Sequence, residues 1–223
     1  MKPLPQNPVP GYLGKCIAEG EHQQQDFKFA INDSKKIAIT LAAFANTDGG
    51  RLLIGVKDNG KIAGVHSDEE MYMVEGAADL YCQPPVPLQF QSWEFENKRI
   101  LEVWVAPSAQ RPHKAKTDDG KWLAYIRIGD ENFLASPVHL KLWQQQDKKE
   151  GDVPGKFSED EKQILHLITE VSDGITLNQI CKKIQLPRRT IIGTLATLIR
   201  WKLLEIKREN DQFQIKLKTE GGT

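Results

Sequence analysis

Two periods of apolar and polar residues alternate along this chain, and the switches between them mark out its elements. Ile37, Leu41 and Phe44 recur at spacings of four and three, which puts them on one face of a helix over 34–46. Asn32-Asp33-Ser34 supplies the start, since Asp33 or Ser34 can accept bonds from the first exposed amides. Asn46 and Thr47 are weak helix formers and Gly49-Gly50 tolerates positive φ, so the helix stops there. Leu52, Leu53, Ile54 and Val56 form an apolar run that fits a buried strand. Asp58-Asn59-Gly60 predicts a tight turn, with residues 61–65 returning as the second strand of a hairpin. The polar residues of this block, Asn46, Thr47, Asp48 and Asp58, gather with Gly49 and Gly50 at its corners, where functional groups concentrate.

The remaining elements follow the same logic. Residues 25–30 alternate, with Phe27 and Phe29 on one face of a strand, while 15–19 are too short to assign. Ser67 with Glu70 predicts a capping box and a helix to about residue 82, with Met71, Val74, Ala78 and Tyr81 inward. Pro84, Pro85 and Pro87 end it. Residues 88–95 and 99–105 alternate and form a second hairpin; 106–121 read as a long polar loop, 122–128 as a strand and 137–145 as a short closing helix. From Phe157 the pattern turns helical. Ser158 and Glu161 box the first helix, and Thr176 caps a second over 177–184. Leu186-Pro187-Arg188-Arg189 is a turn and helix start leading to a third helix over 190–201, and 203–208 with 212–217 form a last hairpin.

The expected organisation is a proline-rich arm over 1–13, a domain over 14–145 and a charged linker over 146–156, then a second domain over 157–218 and a tail over 219–223. The first domain is of the α/β (α+β) class, with mixed sheet and helices. Three helices and a hairpin give the second the pattern of a winged helix-turn-helix. A hydrophobic share of 39% and a charged share of 27% place the chain in the ordinary soluble globular class. Thirty basic residues balance thirty acids, so any attraction to nucleic acid must be local. Cys16, Cys82 and Cys181 form no CxxC pair, which speaks against a zinc site or a disulfide framework and for the cytoplasm. The first fourteen residues have no apolar core and are not a signal peptide. No apolar run approaches the roughly 20 residues that span a bilayer, so no membrane partner is expected.

Several stretches match a known pattern together: AFANTDGG over 43–50, LLIGV over 52–56, IAGV over 62–65, and the acidic element from Glu21 to Lys28. Arg111-Pro112-His113-Lys114 and Tyr125-Ile126-Arg127-Ile128-Gly129 match its later motifs. Over roughly 14–136 the chain resembles the AlbA-2 domain shared by Schlafen proteins and many bacterial DNA-binding regulators. The resemblance implies nucleic-acid binding. It also places Glu21 and Asp26 near the corner that holds Asp58, as the acids of Schlafen ribonucleases are placed. Three such carboxylates would hold Mg²⁺ or Mn²⁺ and activate water on a phosphodiester. The chain departs from that family in two ways: Asp26 stands where a second glutamate is usual, and Lys57 stands before Asp58 where another acid is common.

Function is therefore expected in two places. The third helix of the second domain would enter the major groove with Arg188, Arg189 and Thr190 at base edges and Thr194 along it, while Lys207 and Arg208 of the hairpin reach the backbone. Residues 151–223 hold eight lysines and four arginines against ten acids, a net +2. In the first domain, Arg111, Lys114, Lys116 and Arg127 would hold phosphates beside the glycine corner. The leading reading is a DNA-binding transcriptional regulator acting as a homodimer. The other is a divalent-metal endoribonuclease acting on structured RNA, with Glu21, Asp26 and Asp58 catalytic.

Overall fold

The computed structural model describes residues 11–65, 67–145, 155–171 and 173–219. Most of the expected arm and linker, and the end of the expected tail, lie outside the described residues. Two compact units divide the chain, Met1–Ala135 and Ser136–Thr223.

The first unit opens with helix α1 (Gly11–Glu19), part of which is the stretch too short to assign by period. Strand β1 (Gln25–Lys28), helix α2 (Ser34–Asn46) and strand β2 (Gly50–Ile54) follow, then helix α3 (Glu69–Leu80) and strands β3 (Cys82–Gln83), β4 (Gln89–Phe95) and β5 (Lys98–Val105). Strands β6 (Lys114–Lys116), β7 (Trp122–Ile128) and β8 (Glu131–Leu134) complete it, β6 lying inside the expected polar loop. One sheet runs β1-β2-β5-β4 and the other β3-β6-β7-β8.

Strand β2 is parallel to β1 and antiparallel to β5. The hairpin expected over 52–65 is therefore corrected: only an isolated bridge, Val56 to Ile62, joins its two arms. The cause is local. The amides of Ala63 and Gly64 both donate to the Gly55 carbonyl, at 2.8 and 2.9 Å, so the returning chain pivots on one acceptor instead of running a ladder. The β2 flank that this frees pairs with distant β5.

At β2 the first sheet is buried on both faces, which explains the unbroken apolar run of that strand. Leu52 and Ile54 pack with Ile37, Leu41 and Phe44 of α2. Leu53 points the other way, to Phe27, Ile100 and Leu13 and Cys16 of α1. Helix α2 is buried almost all round, with Ala38, Ala42, Ala43 and Ala45 letting neighbours approach closely. Each large side chain placed in this core contributes about 1.5–3 kcal/mol. Asp33 caps α2 by accepting from the Lys35 and Lys36 amides. At α3 the expected box on Ser67 is corrected: the N-cap is Asp68, and Ser67 Oγ accepts only from the Glu69 amide at 3.2 Å.

The second unit comprises α4 (Pro137–Trp143), α5 (Glu159–Thr169), β9 (Ile175–Thr176), α6 (Leu177–Lys183), α7 (Arg188–Arg200), β10 (Leu204–Glu209) and β11 (Gln212–Leu217). Its sheet runs β10-β11-β9. Ile164, Ile168, Ile180, Ile191, Leu195 and Leu198 form the core with Ile175 and Ile215. The box expected on Ser158 forms, and the expected Thr176 cap forms with Gln179 completing a box. Helix α4, read as the closing helix of the first domain, instead gives Val138 to this second core. Its period is legible, but seven residues do not say which core takes them.

Helix α4 also carries a pH-sensitive cap. Ser136 and His139 form a capping box in which the His139 Nδ1 accepts from the Ser136 amide at 3.2 Å. Burial pushes the His139 imidazole down to about 4. Because the folded value lies below the ordinary one near 6.5, the stabilisation is full above pH 6.5 and is lost as pH falls towards 4. Protonation also removes the acceptor that the cap uses. The expected loss across that window is about 1–3 kcal/mol. His139→Gln keeps an N3 acceptor without a titrating ring. Thermal melts at pH 7 and 4.5 should show its pH dependence flattened relative to wild type.

Candidate functional site

The motifs of the first unit meet at the C-terminal end of α2. Asn46 is buried, and its Nδ2 donates to the carbonyls of His113 (2.7 Å) and Tyr125 (2.9 Å). Its Oδ1 accepts from the His113 amide at 2.7 Å. One side chain thus ties α2 to β7 and to the chain entering β6. The next residues are equally occupied. Thr47 Oγ1 donates to the Ala43 carbonyl, and Asp48 accepts from Gln23 Nε2 and, through its carbonyl, from Gln24 Nε2. Gly49 has φ +70°, and a Cβ on Gly50 would lie 2.5 Å from the Phe44 ring. The corner needs its glycines for close packing.

Arg127 lies at the centre of this junction, 1% exposed. Its guanidinium donates to the carbonyls of His22 and Gln25 at 3.2 and 3.0 Å, to Asp26 Oδ1 at 3.1 Å and to Asn132 Oδ1 at 3.3 Å. It also stacks over Phe44, 4.9 Å from the ring centre. The expectation that Arg127 grips phosphate is corrected: its donors are taken up inside the fold. Gln23 continues the seam, donating to the Arg127 carbonyl and accepting from the Gly129 amide, both at 2.9 Å.

The three acids do not assemble as a metal site. Asp26 is buried between Lys28 Nζ at 2.6 Å and Arg127 at 3.1 Å, so two cations already neutralise it. Glu21 Oε1 accepts from the Phe27 amide at 2.9 Å. Burial pushes the Glu21 carboxyl up, the Phe27 bond opposes this, and the Asp26 and Asp58 charges add to the rise. The acids thus feel one another. Among the described residues, however, no group of three or more His, Cys, Asp or Glu side chains is arranged to hold a metal ion. This arrangement gives the expected Mg²⁺ or Mn²⁺ set of Glu21, Asp26 and Asp58 no added support.

The basic loop stays partly available. Lys114 is exposed, Lys116 Nζ sits 5.8 Å from the Trp122 ring centre, and half-buried Arg111 approaches the Asn46 carbonyl at 3.4 Å.

Sequence reasoning missed a further buried charge. Glu102 of β5 is buried, because α1 covers its face of the strand. Its oxygens accept from Tyr12 Oη and Trp93 Nε1, each at 2.7 Å. Burial, then Glu102, push the Tyr12 hydroxyl well above its ordinary range. Arg51 donates to Tyr12 Oη at 2.9 Å and lies between the Tyr12 and Trp104 rings. No sequence signal marks this cluster, because α1 could not be assigned.

In the second unit α7 begins two residues earlier than expected, so Arg188 and Arg189 stand on its first turn, both exposed. Arg188 Nη1 donates to Asn178 Oδ1 at 3.0 Å, while Arg189 pairs with no acid among the described residues. Thr190 and Thr194 are half-buried along the helix. In the last hairpin, Lys207 pairs with Glu205 at 2.6 Å, and Arg208 pairs with Asp211 at 3.2 Å and lies over Phe213. Charge is segregated within the unit. Residues 155–181 carry five acids against two lysines, whereas 182–218 carry ten lysines and arginines against three acids, net +7. The whole-domain +2 conceals this.

Among the described residues no helix is long and apolar enough to cross a membrane. The family model described as Schlafen, AlbA_2 matches residues 21–136. No curated protein matches the chain. Of solved structures, the chain is similar to the DIP2311 protein from Corynebacterium diphtheriae, at 17% identity and a TM-score of 0.46 over 86% of this chain. It spans 34% of that protein's chain. It is also similar to the N-terminal domain of a protein from Nitrosomonas europaea described as related to the ATP-dependent DNA helicase RecG. There the identity is 25% and the TM-score 0.41, covering 56% of this chain and 90% of that one.

Proposed function

Since the chain belongs to the Schlafen AlbA_2 family, we propose that it binds nucleic acid, as a DNA-binding regulator whose second unit works as a winged-helix reader. The observation that carries this is the exposed Arg188-Arg189 pair on the first turn of α7, inside a stretch of net +7. A helix-turn-helix presents the start of its last helix to base edges, and arginine matches the two acceptors of guanine. The basic hairpin would then lie along the backbone, with Lys207 and Arg208 exchanging their acidic neighbours for phosphates. In this reading the first unit is a rigid platform, offering Lys114 and Lys116 to phosphate or joining two copies so that two half-sites are read together.

The metal-dependent nuclease gains no supporting observation, because Asp26 is held by two cations. Fluorescence anisotropy on duplexes selected from a random pool tests the regulator. Arg189→Ala should weaken binding to the selected duplex by about 1–3 kcal/mol while leaving non-specific binding nearly unchanged. If Arg188→Ala and Arg189→Ala both bind every duplex as wild type does, this reader is not the one used.

A further inference from the structure

Strand β4 ends the first sheet, and its outer edge is open. At seven residues, QFQSWEF, it carries no lysine, arginine or proline and a single acid, Glu94. Natural edge strands are usually short, charged or interrupted, because an open edge templates pairing with another chain. The other edge strands here follow that rule. Strands β1 and β8 have four residues, β3 and β9 have two, and six-residue β10 carries Glu205, Lys207, Arg208 and Glu209. Strand β4 is the exception.

Its free groups can be identified. Glu96 and Asn97 have φ of 49° and 58°, the two positive values of a two-residue type I′ turn. Such a turn closes on a hydrogen-bonded pair, here Phe95 with Lys98, and bonded pairs then alternate. Trp93 and Gln91 therefore bond inward to β5, and the N–H and C=O of Phe90, Ser92 and Glu94 point outward. The Ser92 carbonyl takes a bond from Gln91 Nε2 at 2.9 Å, as an outward carbonyl can. Among the described residues none of these outward groups bonds to another part of the chain.

We infer that β4 pairs antiparallel with β4 of a second copy of this chain, about a two-fold axis through Ser92. This edge is complementary to itself. Centred on Ser92, the three outward residues of one copy meet the three of the other. Ser92 faces Ser92, Phe90 faces Glu94, and every outward donor finds an acceptor. No like charges meet, since each Glu94 lies opposite a phenylalanine. The joined sheets form one sheet of eight strands. Both half-covered aromatic rows continue across the seam: Phe90 borders the core shared with α2, and Trp93 and Phe95 border the core under α1. A two-fold contact uses the long edge of both copies at once, so assembly closes at two instead of running on into fibres.

This pairing would supply the dimer that the nucleic-acid reading calls for. Its test reads mass alone, so either idea can fail without the other. Sedimentation of the full chain, without nucleic acid, from about 1 to 100 µM should show the mass rising from one chain to two. Ser92→Pro removes an outward N–H that the folded chain does not use. At about 1 µM, where wild type is also one chain, it should melt as wild type does, and it should stay monomeric throughout. Ser92→Cys in a Cys181→Ser background should cross-link to itself under mild oxidation, whereas Glu94→Cys in the same background should not. A wild-type chain that stays monomeric over the whole range overturns the inference. So does a dimer that survives Ser92→Pro, or one in which Glu94→Cys cross-links as readily as Ser92→Cys. Should Ser92→Pro fail to fold, the pair of cysteine variants decides the register.

Discussion

Arg127→Leu is expected to lower the stability of the first unit by about 3–5 kcal/mol. Leucine approximates the aliphatic stem but returns none of the four bonds that the guanidinium makes to His22, Gln25, Asp26 and Asn132. The greater cost falls on Asp26, which stays buried with Lys28 as its one remaining cation. A buried charge stripped of a partner costs more than the intact pair contributes, because the desolvation remains when the attraction is gone. Denaturant titration would measure the loss, and a second variant gives the reason. Arg127→Leu with Asp26→Leu should be less destabilised than Arg127→Leu alone, since the orphaned charge is gone. Equal losses in the two would mean that packing, not charge, sets the cost. Were Arg127 a phosphate contact, the variant would fold normally and lose affinity instead.

Asn46→Ala comes second, with an expected loss of about 3–5 kcal/mol, since each buried group left without a partner costs about 1–3 kcal/mol. It strips the His113 amide and the His113 and Tyr125 carbonyls of their partners at 2.7, 2.7 and 2.9 Å. Asn46→Asp separates geometry from volume. It keeps the oxygen that accepts from His113 but turns a second oxygen towards two carbonyls. It should therefore be at least as destabilised as alanine despite its near-identical shape. An Asn46→Asp protein with wild-type melting behaviour would mean that this side chain does not bridge α2 to the second sheet.

Asn46 and Arg127 show where reading the sequence for function goes astray. Both read as surface chemistry, because polar residues at helix ends and strand ends usually face water. Here the two sheets close over them, and the same hydrogen-bonding capacity joins segments remote in the chain. Asp26 is a candidate metal ligand only through the family resemblance, and in the fold Lys28 and Arg127 stand on either side of it. Asp58, by contrast, stands exposed in its turn, as Asp-Asn-Gly predicts. Arg188 and Arg189 also stand where the pattern puts them, because a proline followed by polar residues before an apolar period marks a helix start regardless of what packs nearby.

What the chain determined by itself is local. The span of α2 and its Asp33 cap, the box on Ser158, the cap on Thr176, and the hairpins β4–β5 and β10–β11 all depend on periodicity and on hydrogen bonds within a few residues. The tertiary structure decided which strands became neighbours, which core took α4, and which charges were buried. Pairing β2 with β1 and β5, or enclosing Arg127 among His22, Gln25 and Asp26, joins groups up to about a hundred positions apart. No local pattern encodes such a meeting. It follows from the whole chain finding the one packing in which its apolar faces are covered and its buried polar groups are bonded.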